Sequence, residues 1–519
     1  MPVHTAVQNL ASAPPTIEMR FRKALIVISA ITALAMCAYL GTMLWAQNEL
    51  APAESVVAAQ SLMLIHNGTL YYDLNQYPYT VCAYTPVFYL LEAGLTRLGL
   101  PIFVAGRLIS FGALLGLVVL CGKLAQLYTN SRYAAWCAGL FAASSALLLT
   151  WGTVGQVDTL ACLLAVAAFY QYSRFDILDG CALPSWRSAG FMRLLSAVVL
   201  AVLATYTKQT AVAAPAAICL LLFARSWKRG LAFGIAYAAA VAAIALTLNV
   251  ALGGRFLADT VFANMNPMST KKLAAQLTQL GSLSGGLLII VGIAFTKLRR
   301  SRAAALLVYL GWAGAVFAVT ALKIGSDTNY QIETTVLLAI CAAIALHQVN
   351  FFHMYFTRSK SAVTLLLLPA AVHLAVGYRV APNLVLFRVA VERAHRSQVE
   401  ALRPYVAAKG GLVLSTDYNA MVRLRQRLDV EPLIYTLLVS AGKVDPEPVR
   451  RDLERGTFST VFLGQDVFGA ENITDLEVGT LPPRLLDEIR RHYRLAARLA
   501  NPLFGDSFVY QPANPGRGS

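Results

Sequence analysis

Long apolar segments alternate with short polar ones along most of the chain. The apolar runs recur from residue 24 to residue 378, each near the roughly 20 residues that a helix needs to cross a bilayer. The pattern predicts a polytopic α-helical membrane protein with about eleven spans. We place them at residues 23–46, 104–128, 134–150, 158–174, 191–206, 208–225, 230–252, 282–297, 303–322, 331–349 and 361–379.

A different pattern begins near residue 380, where charged residues return. The helix-like run FRVAVERAHRSQVEALRPYVAAKG leads to the strand-like segments GGLVLSTDY and STVFLGQDV. LPPRLLDEIRRHYRLAARL then reads as a helix that runs into a strand, and DSFVYQP as a last strand. Alternating strands and helices predict a small α/β domain. The expected organisation is a tail (1–22), a membrane module (23–380) with a long first loop (46–103), and a C-terminal domain (381–519).

Composition agrees with this division. The 519 residues are 57% hydrophobic and only 13% charged, whereas a soluble domain carries roughly 25% charge. The net charge of +16 comes largely from bases in short loops, so it indicates membrane topology and not a nucleic-acid partner. The eight cysteines show no CxxC or Cys/His spacing typical of a zinc site.

The distribution of bases predicts an orientation in the cell (inner) membrane. With the N-terminus in the cytoplasm, one set of loops carries most of the Lys and Arg residues: 20–23, 132, 174–187, 225–229, 297–302 and 358–360. The opposite loops hold few bases, among them Lys323, which we interpret as interfacial. An odd number of spans then places the C-terminal domain outside the cytoplasm, together with the first loop.

Polar side chains that hydrophobicity does not explain lie mostly on this outer face. The first loop has no Lys or Arg from residue 46 to residue 91 but is rich in tyrosine. We select eight candidates: Glu54, Asp73 and Tyr84 in this loop, Asp158 at the outer end of a span, Lys208 and Gln209 at an outer turn, and Asn329 and Tyr330 entering another span.

Each candidate also has a structural interpretation. Glu54 starts an amphipathic run and is placed to complement a helix dipole. Asp158 is placed to cap its span, and Lys208 to reach the interface by snorkelling. Asp73 is equally well explained as a turn residue, and Asn329 and Tyr330 as a cap and an interfacial anchor.

The combination of residue types favours chemistry. Carboxylates act as general bases or orient a hydroxyl group. Lysines bind phosphate as point charges, and tyrosines offer a sugar ring an apolar plane and a hydroxyl group. A substrate with a sugar, a phosphate and a lipid tail uses all three.

Four segments carry a family resemblance: YYDLNQYPYTVCAYTPVFYLL, GQVDTLACLLAV, TYTKQTAVAAPAA and GSDTNYQIE. Together they resemble bacterial members of the GT-C glycosyltransferase superfamily, nearest to the family 39-like or dolichyl-phosphate mannosyltransferase-like membrane proteins. The resemblance covers residues 20 to 350 or so. It implies an enzyme that transfers a sugar from a polyprenyl-phosphate donor to a glycan, lipid or protein acceptor outside the cytoplasm.

The resemblance also implies a catalytic carboxylate in the first loop, commonly in an Asp-Glu pair. This chain has Pro52-Ala53-Glu54-Ser55 instead. We therefore predict Glu54 as the general base, with Asp158 as partner or rival, in an inverting displacement. Lys208, aided by Gln209, is expected to stabilise the lipid phosphate. Asn329, Tyr330, Asp73 and Tyr84 are expected to bind or shape the substrate site.

Neither a cofactor nor a metal is indicated, because the first loop has no DxD-type carboxylate pair. Two other functions remain open. A transporter or flippase for lipid-linked sugars places charges near mid-span in repeated broken helices, whereas these lie at the outer ends. A polysaccharide polymerase or ligase with a lipid-diphosphate donor also acts at the outer face.

Overall fold

The computed structural model describes residues 41–51, 53–179, 188–348, 360–407, 412–427, 430–469, 481–501 and 503–513, with a few positions between 27 and 38. Within these ranges the chain forms a helical bundle followed by a small sheet domain. Helices α1 and α2 lie in the first loop, and the other helices of the bundle follow it. The helices are Glu54–Asn67 (α1), Val87–Arg97 (α2), Ile102–Thr129 (α3), Arg132–Ala143 (α4), Ala146–Trp151 (α5), Val157–Leu178 (α6), Ala189–Thr207 (α7), Ala213–Arg225 (α8), Trp227–Ala251 (α9), Thr270–Arg299 (α10), Ala304–Ala321 (α11), Ile332–Gln348 (α12) and Lys360–Ala407 (α13).

The protein is an integral membrane protein by the length and composition of these helices. In the part of the chain that the structure describes, seven helical segments are long and apolar enough to cross a membrane. The predicted count of about eleven is not confirmed. Most of the first predicted span, 23–46, lies outside the described residues. The predicted span 134–150 is two helices, α4 and α5, because the first ends at Ser144 and Ser145 caps the second by accepting from the Leu148 amide.

One helix connects the membrane part to the C-terminal domain. Helix α13 has 48 residues and continues through Pro369, Pro382 and Pro404. It therefore runs through residues 380 and 381, where the sequence predicted a domain boundary. Gly377 lets this helix approach the junction of α4 and α5 closely, since a β-carbon there would collide with the Ser144 carbonyl oxygen.

The C-terminal sheet was predicted correctly. Its four strands are Leu412–Ser415 (β1), Phe458–Leu463 (β2), Tyr493–Leu499 (β3) and Ser507–Pro512 (β4), in the order β1-β2-β4-β3. β1 and β2 are parallel, and β4 pairs antiparallel with both β2 and β3. The helices that accompany the sheet are Tyr418–Arg423 (α14), Pro432–Ser440 (α15), Glu447–Glu454 (α16) and Pro483–His492 (α17).

The first loop packs directly against this domain. Tyr79 forms a single parallel β-bridge with Val430, and its hydroxyl group donates to Asp452 at 2.9 Å. The backbone amide of Glu49 donates to the Asn419 side-chain oxygen at 2.9 Å. The loop and the sheet domain therefore lie at the same end of the helical bundle.

Candidate active site

Three chain segments meet beneath the first loop. Asp158 lies in the first turn of α6, where the helix dipole favours an acid. Lys208 ends α7 in an extended conformation, with φ −148°. Asn329 and Tyr330 lie in the 3₁₀ turn Thr328–Gln331, which precedes α12 and is capped by Asp327.

These side chains form a compact ionic cluster. The Lys208 ammonium group is hydrogen-bonded to Asp158 Oδ1, and Asn329 Nδ2 donates to the same oxygen at 3.1 Å. The Lys208 nitrogen lies 3.8 Å from the centre of the Tyr330 ring. The Lys208 and Asp158 side chains are only 7% and 2% exposed. The structure thus brings together four of the residues selected from the sequence.

Several buried acceptor atoms in and beside this cluster have no hydrogen-bond partner. They are Asp158 Oδ2, Asn329 Oδ1 and Gln209 Oε1. A buried polar atom without a partner costs about 1–3 kcal/mol. A small cavity of about 40 Å³ adjoins the cluster and is lined by Asp158, Lys208, Asn329 and Tyr330 among others. The arrangement indicates a place where a polar ligand completes the hydrogen bonding.

A second lysine faces the first. Lys323 Nζ donates to Asn264 Oδ1 at 2.9 Å. Burial, and then the charge of Lys208, lower the pKa of Lys323 to about 8. That Lys323 is only interfacial stays a prediction, whereas its charge and that of Lys208 are close enough to act on each other. Like charges this close favour the binding of an anion.

Tyr84 and Gln209 connect the first loop to this cluster. Burial raises the pKa of the Tyr84 phenol, and the neighbouring Tyr330 and Asp158 raise it further. Gln209 Nε2 donates to the Ala83 carbonyl at 2.7 Å and to the Thr260 carbonyl at 3.0 Å. Gln209 therefore holds the loop segment that carries Tyr84.

Asp73 has a local role in its turn. Its Oδ1 accepts from the backbone amide of Asn75 at 3.0 Å, and its carbonyl oxygen accepts from Gln76. This is the turn geometry that aspartate favours. The described contacts do not join Asp73 to the Asp158–Lys208 cluster.

Glu54 is enclosed by donors. Arg107 binds it through two parallel hydrogen bonds, Nε to Oε1 and Nη2 to Oε2, both 2.8 Å long. The amides of Leu50 and Gly155 donate to the same two oxygens, each at 2.8 Å. With four donors and 1% exposure, the carboxylate has no free lone pair directed at a substrate. Its role as the general base stays a prediction, and this geometry does not favour it.

The fold has counterparts among solved structures. Over 96% of this chain and 99% of the other, it superposes on ArnT from Cupriavidus metallidurans bound to undecaprenyl phosphate, with a TM-score of 0.64 and 14% identity. The chain has the GT-C glycosyltransferase fold. The oligosaccharyltransferase AglB from Archaeoglobus fulgidus shares this GT-C fold over 93% of this chain and 74% of its own, with a TM-score of 0.58 and 12% identity. No family model and no curated protein sequence matches the chain.

Two residues with contacts in or near the site, Arg107 and Glu431, were not among the eight candidates selected from the sequence. Arg107 lies within the first two turns of the apolar helix α3. A charged residue inside an apolar helix normally faces a partner. The sequence therefore already indicated that Arg107 has one. Glu431 of the sheet domain is buried and caps α15, and its charge also acts on Tyr84. No sequence pattern connects Glu431 with the first loop.

The surroundings of the Asp158–Lys208 cluster differ from those of a metal site. Across the described ranges, no group of three or more His, Cys, Asp or Glu side chains lies close enough together to hold a metal ion. Asp158 is instead paired with a lysine and an amide. That the reaction needs neither metal nor cofactor stays a prediction.

Proposed function

We propose that the protein is a glycosyltransferase that moves a sugar from a polyprenyl-phosphate donor to an acceptor on the extracytoplasmic side of the cell membrane. The observation that carries this proposal is the buried Asp158–Lys208 pair beside Lys323, with unpartnered acceptor atoms around it. The GT-C fold, shared with an ArnT structure bound to undecaprenyl phosphate, supports the same donor class. The acceptor is a glycan, a lipid or a protein.

The two lysines receive the donor phosphate. Lys208 and Lys323 place two positive charges near the site. Asp158 holds Lys208 in position, and Asn264 holds Lys323. Charges placed in advance in a site of low polarity stabilise negative charge that develops in the transition state. Here that charge develops on the phosphate oxygen as its bond to the anomeric carbon breaks.

Asp158 is the proposed general base. Its Oδ2 is buried without a partner, and it accepts the proton of the acceptor group while that group attacks the anomeric carbon. The new bond forms on the face opposite the phosphate, which leaves with the bonding electrons as polyprenyl phosphate. The donor phosphate competes with Asp158 for Lys208 and so frees the carboxylate to accept the proton.

The remaining residues hold the sugar and the loop. Tyr330 presents its ring beside Lys208, and Asn329 Oδ1 is free to accept from a sugar hydroxyl. Tyr84 contributes a phenol at the loop side, and Gln209 positions that loop. Asp73 fixes the turn that precedes it.

Glu54 is proposed as a positioning residue. Through Arg107 and Gly155 it joins α1, α3 and the turn before α6. Because Gly155 is three residues from Asp158, the Glu54 ion pair fixes the start of the helix that carries the base.

The proposal is tested by donor turnover. Purified protein is incubated with a panel of polyprenyl-phosphate sugars, and the release of free polyprenyl phosphate is measured. We expect release with at least one donor, and a loss of at least 100-fold in kcat for D158N, the size typical of a missing general base. The matched control is D487N, because Asp487 is an exposed aspartate of the sheet domain.

Two outcomes would contradict the proposed glycosyltransferase mechanism. Full turnover in D158N would remove Asp158 from the mechanism. Vectorial movement of an intact lipid-linked sugar across a vesicle, without release of polyprenyl phosphate, would favour the transporter alternative.

A further inference from the structure

A large cavity lies apart from the Asp158–Lys208 cluster. Its volume is about 820 Å³, within the usual range of ligand pockets, roughly 300–1,000 Å³. It is bounded by α1 of the first loop, the start of α3, and the end of α14 in the sheet domain. Most of its wall is apolar, including Ala59, Leu62, Met63, Phe103, Val104 and Val422.

Three arginines line the same cavity within five positions of the chain: Arg423, Arg425 and Arg427. None of them forms an ion pair with a carboxylate in the part of the chain that the structure describes. Arg423 Nη2 donates to Gln47 Oε1 at 2.8 Å, and the Arg427 guanidinium lies 4.8 Å from the Tyr77 ring centre. Three cations within five positions, none in a direct ion pair, favour an anion on this wall.

One donor atom in this group is also without a partner. Arg423 Nε is buried and makes no hydrogen bond. Buried polar atoms in native proteins normally have partners, and a guanidinium group matches the oxygens of a phosphate through paired N–H bonds. A phosphate oxygen at this position would satisfy Arg423 Nε.

The cavity lies at the level where a span meets the membrane surface. Pro101 and Ile102 line it, and Ile102 begins the apolar 28-residue helix α3. Trp45, which also lines the cavity, is 63% exposed, and tryptophan is enriched at the membrane interface. A ligand here has both apolar contacts and three cations within reach.

We propose that this cavity binds an anionic phospholipid. The acyl chains contact Leu62, Met63 and Phe103, and the phosphate contacts Arg423, Arg425 and Arg427. This site is separate from the proposed donor site, because none of the residues that line it contributes to the Asp158–Lys208 cluster.

The test measures lipid binding to the full chain in detergent by native mass spectrometry. Phosphatidylglycerol is compared with phosphatidylcholine of the same chains and with inorganic phosphate. We expect retained phosphatidylglycerol, at least tenfold weaker retention of phosphatidylcholine, and no retained inorganic phosphate. Equal retention of the two lipids would overturn the proposal.

Variants test the three arginines and the apolar wall of the cavity separately. The triple variant R423Q/R425Q/R427Q and the cavity-filling variant L62W are each expected to lose phosphatidylglycerol at least tenfold, whereas R484Q, an exposed arginine of the same domain, retains it. If the triple variant does not fold, R425Q and L62W carry the test. Unchanged phosphatidylglycerol binding in the folded variants would refute the site.

A variant of the donor site separates the two proposals. K208Q is expected to lose polyprenyl phosphate but keep phosphatidylglycerol, so a failure of the donor proposal is seen independently.

Discussion

At the scale of single residues, the two lysines of the candidate site differ in what surrounds them. Lys208 is paired with the Asp158 carboxylate, which holds its proton. Lys323 has the neutral side-chain oxygen of Asn264 as its hydrogen-bond acceptor, and its pKa falls to about 8. The charge of Lys323 is therefore the one that titrates near physiological pH.

A pH dependence follows from this difference. Lys323 is cationic below its pKa of about 8 and neutral above it, so donor affinity should fall as pH rises from 7 to 9. We expect the KM for the donor to rise several-fold over this range in the wild type. In K323R it should stay flat, because arginine keeps its charge to a pKa above about 12.

The control for this measurement is K443R, an exposed lysine of the sheet domain, which should follow the wild-type profile. A wild-type KM that does not change between pH 7 and 9 would show that Lys323 does not bind the donor phosphate.

At the scale of structural elements, the Glu54–Arg107 pair joins three segments that are distant in sequence. α1 and α3 contact each other through it, and the turn before α6 joins them through the Gly155 amide. Gly106 and Gly155 allow this approach, since a β-carbon on Gly155 would lie 3.2 Å from the Gly106 α-carbon.

The variant E54Q should destabilise the protein. It places an amide donor against donors that already surround the carboxylate, and removing one partner of a buried ion pair costs about 3–5 kcal/mol. We expect a Tm several degrees below that of wild type in a thermal unfolding scan. E400Q, on the exposed side of α13, should leave Tm unchanged. An unchanged Tm in E54Q together with lost turnover would restore Glu54 as the base.

Periodicity predicted most of the apolar helices and the four strands, because their apolar faces are local properties of the sequence. It did not predict the continuity of α13, since the return of charged residues near 380 indicated a boundary, whereas the helix continues through Pro382. Periodicity also did not predict which residues Arg107 and Lys323 contact. Their partners, Glu54 and Asn264, are 53 and 59 residues away in sequence, and only the packing of the bundle brings them together.

At the scale of the whole molecule, the first loop and the sheet domain share one side of the membrane, because they are in contact. The distribution of bases predicts that this side is extracytoplasmic. In a cysteine-free background, an impermeant maleimide added to intact cells should label R484C and not K228C. The reverse result would invert the topology and the proposed side of reaction.

Metal dependence is also a prediction at this scale. Asp158 is paired with Lys208, and the described residues hold no group of three or more His, Cys, Asp or Glu side chains like the oxygen cage that a divalent cation prefers. Turnover should therefore change less than about twofold after treatment with EDTA, with readdition of Mg²⁺ or Mn²⁺ as the control. A loss of turnover that either metal reverses would contradict the predicted metal independence.

The β-bridge between Tyr79 and Val430 has a consequence for exchanging parts between proteins of this fold. The edge of the C-terminal module is completed by backbone from a segment more than three hundred positions earlier in the chain. A chimera that replaces residues 412–513 alone would set a foreign backbone partner against Tyr79, and the Tyr79 hydroxyl group would lose its acceptor Asp452. The transferable unit is the sheet domain with its own first loop, although the two are far apart in the gene.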